Sequence, residues 1–418
     1  MLLFHFSIFS VRKKYENELM FMMYFGRKIM MDNREINEEE KELHSLQPDE
    51  TTNLKVNEQK VLYGLIAFPS QKDTDICNKL GMRKSTFSTI KTRLEEQRLF
   101  RRVMLPGFPR INAELFVILS ARMALSNQDN EERLEMLSDV FNLFREDVFV
   151  IGESENLIVF SISKNFTNYD LNLQTLRQTG IKNKIFLRTG LNYQILPFET
   201  TRFERFFSYG PLINRLFNLK FDDKEADVDN LIYEDQLLKL NAENSNSKMI
   251  YEFSNTERKV FQGLLEHPDD SNRELAETIG VSKNTLASMK KNFLSENVIF
   301  PRVVPDLLKL GIKLLVFFFG QFDPDSTSGE RQQGIEKCDD QFKPILLAVK
   351  DSEFYILYAV TSFEEYHSSS TKVMTYFSEK KLIAPNYNTV IFSLPHARII
   401  KEHEYLPLVD KLIPYHKK

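Results

Sequence analysis

The sequence predicts an α+β protein of two tandem units. Each unit is a winged helix-turn-helix followed by a ferredoxin-like βαββαβ domain. Three observations predict this. The chain matches itself at an offset of about 199 residues. The first third of each copy shows three helical patterns. The remainder of each copy alternates strand and helix patterns.

The repeat organises everything else. NEQKVLYGLIAFP (57–69) falls on TERKVFQGLLEHP (256–268), and DICNKLGMRKSTFSTIK (75–91) on ELAETIGVSKNTLASMK (274–290). FVILSAR (116–122) meets LVFFFGQ (315–321). VFVIGESENLIVFSI (148–162) meets LLAVKDSEFYILYAV (346–360), and YGPLINRLF (209–217) meets YLPLVDKLI (405–413). The organisation that follows is an N-terminal extension without fixed structure (1–56), a first winged helix (57–110) and a first ferredoxin-like domain (111–217). An acidic linker (218–254), a second winged helix (255–311) and a second ferredoxin-like domain (312–418) complete it.

Within the first winged helix, Val61, Leu62, Leu65 and Ile66 recur at helical spacing until Pro69. Ile76 and Leu80 form a short second helix, closed by Gly81. Phe87, Ile90 and Leu94 then line one side of a third helix, and Leu286, Met289 and Phe293 do the same in the second unit, where Ser282 is a good N-cap. The stretches 99–105 and 298–304 read as wings. In the first sheet domain, 115–122, 148–151, 157–162 and 184–191 read as strands, with helices at 131–144 and 169–178. The second repeats this order at 313–321, 330–340, 345–349, 354–360, 366–379 and 387–393. Each unit ends in a short helix, at 211–217 and 407–413, and one more helix is expected near 231–240.

Composition sets bounds. The chain has 418 residues, 42% apolar and 27% charged, which is globular and excludes collagen-like or membrane-embedded classes. A net charge of −4 argues against a polycation that coats nucleic acid, yet leaves room for a local basic face. Residues 83–102 carry seven basic and two acidic side chains, and 282–302 carry four and one. Two cysteines, Cys77 and Cys338, exclude a disulfide scaffold and fit a reducing cytoplasm. The apolar stretches at 1–9 and 19–25 are too short to span a membrane, and their apolar-then-basic order is not that of a secretory signal. Met30 or Met31 is an alternative first residue.

The segment MRKSTFSTIKTRLEEQRLFRRV (82–103) and its counterpart ELAETIGVSKNTLASMKKNFLSENVI (274–299), followed by PRVVPDLLKLGIK (301–313), resemble the Lrp/AsnC family of bacterial and archaeal regulators. That resemblance covers most of 57–217 and 256–413. It implies a winged helix that binds DNA and a ferredoxin-like domain for dimerisation and effector binding. Members usually carry one unit per chain. Here the two sheets are expected to pack on each other as a covalent pseudo-dimer, with self-association through the same domains as the alternative.

The expected partner is double-stranded DNA. Short polar side chains suit base edges and cations suit phosphates. The candidates are Lys84, Ser85, Ser88, Thr89, Lys91, Thr92, Arg98, Arg101 and Arg102, with Lys283, Asn284, Thr285, Ser288, Lys290, Lys291 and Arg302 in the second copy. The resemblance implies a small-molecule effector at Gly152, with Lys350 in the matching place of the second unit. His396 and His403 lie seven apart beside Glu402 and Glu404, but nothing completes a ligand set, so neither metal nor cofactor is expected. The chain reads as a sequence-specific transcriptional regulator and not an enzyme. Two alternatives stand. Siroheme decarboxylases of haem biosynthesis share the architecture and work as paired subunits, and a degenerate winged helix can serve protein contacts alone.

Overall fold

The computed structural model describes residues 52–124, 130–153, 155–183, 185–221, 250–385 and 387–413. The N-terminal extension before residue 52 and the helix expected near 231–240 lie outside them. The described residues form an α+β fold in which two copies of the same unit share one core.

The first unit opens with α1 (Val56–Ala67), α2 (Asp73–Leu80) and α3 (Lys84–Glu96). Phe87, Ile90 and Leu94 are buried, as the helical period dictates. Gly81 ends α2 at φ 62°, a conformation that costs glycine little. Gly64 permits the close approach of α1 and α2, since a Cβ there would lie 2.7 Å from Ile76 Cγ2. Then come β1 (Phe100–Pro106), β2 (Leu115–Met123), α4 (Asn130–Phe141), β3 (Asp147–Glu153) and β4 (Asn156–Ser163). The unit closes with α5 (Phe166–Lys182), β5 (Phe186–Pro197), β6 (Arg202–Phe206) and α6 (Gly210–Leu216).

The second unit repeats this order. Its head is α7 (Asn255–Glu266), α8 (Asn272–Ile279) and α9 (Lys283–Ser295), followed by β7 (Ile299–Pro305) and β8 (Leu314–Gln321). Next are α10 (Ser328–Phe342), β9 (Leu346–Lys350), β10 (Glu353–Val360) and α11 (Phe363–Glu379). The chain then runs through β11 (Asn388–Ser393), β12 (Arg398–Glu402) and α12 (Leu406–Leu412).

Two pairings tie the units together, and neither was expected. The strands read as wings, β1 and β7, pair with each other along their whole length, with Phe100 opposite Pro305 and Val103 opposite Arg302. The tail strands β6 and β12 are exchanged. One sheet runs β12-β3-β4-β2-β5 and the other β11-β8-β10-β9-β6. Each unit thus donates its last strand to the sheet of the other. Both exchanged strands carry a register shift at the same place, between Phe203 and Arg205 and between Ile399 and Lys401.

The register also corrects the repeat by one residue. Arg202 of β6 lies opposite Val349, and Arg398 of β12 lies opposite Gly152. The structural counterpart of Gly152 is therefore Val349, not Lys350. Lys350 instead pairs with Glu353, as Glu153 pairs with Asn156. An ungapped comparison slips here, and a one-residue slip moves every side chain to the opposite face.

The inner faces of both sheets form a single core with the two heads. Phe116, Phe149 and Phe160 of one sheet meet Phe203, Phe206 and Phe317 there. The outer faces pack on helices: Leu119, Val150 and Val159 with Leu137, Phe141 and Leu173, and Val316, Phe318 and Ile356 with Cys338, Phe342 and Phe377. Because both faces are buried, the central strands read as continuous apolar runs.

The two heads differ at their helix starts. Ser254, Ser271 and Ser282 each cap a helix of the second head with a side-chain hydrogen bond. The corresponding residues of the first head, Lys55, Lys72 and Arg83, supply no side-chain cap bond. Ser271→Ala is expected to weaken the second head by about 1 kcal/mol, and Lys72→Ser to strengthen the first by a similar amount. Amide hydrogen exchange of the two heads, compared within one chain, reads both changes.

Candidate nucleic-acid interface

With Phe87, Ile90 and Leu94 inward, α3 turns Lys84, Ser85, Ser88, Thr89 and Thr92 to solvent, and Arg98 is exposed just beyond it. Thr89 donates its hydroxyl back to Ser85 O at 3.1 Å. Lys91 is half-buried and holds Asp73 at 2.9 Å. On α9, Lys283, Asn284, Ser288 and Lys291 are exposed. The Thr285 hydroxyl lies 2.7 Å from Ser282 Oγ. Lys290 is half-buried, and that burial lowers its ammonium pKa from the usual range.

Three residues expected to meet the DNA backbone have partners within the chain. Arg101 bonds the Glu402 carbonyl and carboxylate at 2.6 and 2.8 Å. Arg102 bridges Glu95 at 2.6 Å and Asp269 at 2.9 Å. Arg302 is buried, and its Nη1 donates to Pro301 O at 3.1 Å. The reason is the β1–β7 pairing, which turns these side chains onto neighbouring elements rather than outward from a free wing. Exposed Arg83, at the start of α3, was not among the expected residues. It stands where the second head has the capping Ser282, and that departure from cap chemistry is the signal that could have found it.

Gly152, where an effector is implied, is buried. Gly152 lies between β4 and the exchanged β12, and a Cβ there would sit 3.4 Å from Leu137 Cδ1 of the covering helix. Among the described residues no group of three His, Cys, Asp or Glu side chains gathers to hold a metal. No helix among them is long and apolar enough to cross a membrane. Cys77 is buried, and burial raises its thiol pKa.

His396 is exposed, whereas His403 is buried between two tyrosines. Its Nε2 lies 2.9 Å from the Tyr209 hydroxyl and its Nδ1 2.8 Å from that of Tyr405. Burial, then Arg101 and Arg302, holds the imidazole well below its usual pKa of 6.5. The ring is neutral there, so one nitrogen donates and the other accepts.

No family model matches the chain, and no curated protein does. Solved structures do. The siroheme decarboxylase NirDL is 12% identical, covering 85% of this chain and 98% of its own, with a TM-score of 0.46. Its co-complex with an iron-uroporphyrin III analogue is 10% identical, covering 85% and 97%, with a TM-score of 0.45. An AsnC family transcriptional regulator from Agrobacterium tumefaciens is 19% identical, covering 34% of this chain and 90% of its own, with a TM-score of 0.29. E. coli AsnC is 15% identical over 34% and 93%, with a TM-score of 0.28. At such identities the likeness bears on the fold alone. The expectation that the chain is not an enzyme does not stand beside these matches.

His403 makes the fold acid-sensitive. The folded chain resists protonating it, so its contribution is present above the usual pKa of 6.5 and is lost as pH falls below that value. His403→Phe, which copies Phe207 at the same place in the first unit, is expected to flatten this acid limb. It leaves two buried hydroxyls short of a partner, at roughly 2 kcal/mol. Urea unfolding across that pH range reads both effects.

Proposed function

We propose that the chain is a two-headed, sequence-specific DNA-binding transcriptional regulator acting in the cytoplasm. The observation that supports it is the presentation of two polar, cationic helix faces, on α3 and α9, by heads joined through one two-stranded ribbon. On this reading Arg83, Lys84, Lys283 and Lys291 meet phosphates, and Ser85, Ser88, Thr89, Asn284 and Ser288 reach base edges. The two faces differ residue by residue, so the site they read is asymmetric rather than palindromic.

A second reading is a decarboxylase of a carboxylated tetrapyrrole. It is supported by the polar end of the space between the sheets. Beyond Ile118 the pleat of β2 turns Ser120 and the exposed Arg122 to the inner face. On the facing sheet, Phe319 stacks on Tyr355 and half-buried Lys350 reaches Ile195 O. An aromatic platform flanked by cations suits a flat, carboxylated ligand.

Selection from random duplex DNA, followed by titration at several salt concentrations, tests the first reading. The expected result is an enriched motif without two-fold symmetry. Arg83→Ala with Lys84→Ala should then reduce the salt slope by about 1–2. No enrichment, together with a salt slope that both substitutions leave unchanged, would defeat it. Adding siroheme tests the second, which predicts a shifted visible spectrum and loss of carboxyl groups from the ligand.

A further inference from the structure

The two heads differ in charge far more than in architecture. Residues 55–102 carry eleven basic and five acidic side chains, whereas the matching residues 254–301 carry six and seven. Three of the five acids in the first head are already paired: Glu58 with Arg93, Asp73 with Lys91 and Glu95 with Arg102. Lys55, Lys72, Arg83, Lys84 and Arg98 are exposed, and none forms an ion pair among the described residues. The pairs that do form fix where these five stand. Arg83 and Lys84 open α3, and Arg98 follows its end. Lys91 holds Asp73 at 2.9 Å, which sets Lys72 beside the middle of α3. Arg93 holds Glu58 of α1, and that carboxylate also accepts the Lys55 N–H at 2.7 Å, which sets Lys55 beside the last turn. Unpaired cations thus follow α3 along its whole length.

The second head keeps one of the five. Ser254, Ser271, Ser282, Lys283 and Asn297 stand at the matching places. Each of the four replacements is what its backbone position favours. The three serines cap their helices. Asn297 is left-handed at φ 59°, as Arg98 is at φ 51°, and asparagine tolerates that conformation better than arginine. The first head therefore sets cations at four places where a short polar residue would serve the local structure better. Its own folding does not account for them, whereas contact with a polyanion does. The other cations of the second head are mostly engaged. Arg258 is buried, Lys290 is half-buried and Arg273 holds Glu277 at 3.0 Å, which leaves Lys259, Lys283 and Lys291.

We propose that the two heads are unequal on duplex DNA, an inference that rests on the DNA-binding reading above. The first head grips the phosphate backbone with a cationic rim of Lys55, Lys72, Arg83, Lys84 and Arg98, and supplies most of the salt-dependent affinity. Each phosphate that a cation neutralises releases counterions, so the rim sets how steeply binding falls with salt. The second head turns only Lys283 and Lys291 outward from α9, and the preceding helix exposes Glu274 and Glu277. It gains little from the phosphates and acts through the neutral Asn284 and Ser288. The β1–β7 ribbon carries it to its bases once the first head has docked.

Titration of the full chain against a mixed-sequence duplex of about 30 base pairs, over a range of salt concentrations, tests this. Lys55→Ser with Lys72→Ser and Arg98→Asn gives the first head the residues of the second. The log–log salt slope should fall by about 2–3, while the melting temperature holds or rises. Adding Arg83→Ala and Lys84→Ala should bring the loss to about 4–5, against at most about 2 for Lys283→Ala with Lys291→Ala. A triple variant that keeps the wild-type slope, or equal losses from the two heads, would overturn the inequality and leave the DNA-binding reading standing. A wild-type chain that binds no duplex would defeat both. Acetic anhydride labelling of the wild-type chain needs no variant. Bound duplex should shield Lys55 and Lys72 and leave the exposed Lys259 of α7 as reactive as before. Equal labelling of Lys55 and Lys72 with and without duplex would overturn the rim.

Discussion

Everything in this structure depends on covering sheets that are apolar on both faces. A four-stranded ferredoxin-like sheet with helices on one side leaves its other face bare, and leaves open edges. The chain solves both problems with its own second copy. The inner faces close on each other through Phe116, Phe149, Phe160, Phe203, Phe206 and Phe317. Each exchanged strand then seals one edge of the other unit's sheet. Truncating any one buried phenylalanine of this kind costs about 3–5 kcal/mol. A separated unit would expose the whole set and lose its fifth strand at once.

In a symmetric dimer each interface contact occurs twice with identical residues. Covalent duplication removes that identity, and the two halves have diverged. Arginine and a stacked tyrosine fill one docking site, whereas lysine, serine and a buried aspartate line the other. His403 faces Phe207 across the junction, 4.7 Å between ring centroids, although the two occupy equivalent places. The heads have diverged in the same way. One has three serine caps, and the other has three basic residues at the same helix starts. Capped ends favour stability and uncapped cationic ends favour contact with anions, so the heads trade one property against the other.

The sequence made most of this legible because the repeat is dense in apolar periodicity. The three head helices, the four strands of each sheet and the inward faces of α3 and α9 follow from spacing alone. The exchanged strands did not. RFERF and RIIKE are short and half-charged, and nothing local says which sheet they join. The pairing of the two wing strands stayed hidden for a related reason. A strand that ends at proline after a helix-turn-helix looks the same whether it flanks DNA or pairs with its twin. Lys350 was misplaced because offsets drift from 199 in the heads to 196 in the tails, and a period of two makes a one-residue drift decisive. Asp147 went unnoticed because an aspartate before an apolar strand reads as an ordinary strand start. Phe144, Ser161, Tyr169 and Leu173, which enclose it, gather only in the folded unit.

The β1–β7 ribbon decides what two heads on one chain can do. Seven paired residues join them antiparallel, and Arg102 reaches across from β1 to Asp269 of the other head. Lys309, beyond β7, donates to Gln97 O and Arg98 O at the end of α3. Heads so braced do not swing independently, and their separation is set by the ribbon rather than by the length of the chain between the units. On the DNA-binding reading, that fixes half-site spacing by geometry and leaves sequence choice to the exposed helix faces. Net charge then tells little about function. Two stretches carry a concentrated negative charge, about −5 over 32–56 and −6 over 221–252, whereas 83–102 carries +5. A chain of −4 overall can therefore carry a cationic head, because the charges that cancel it lie elsewhere in the sequence.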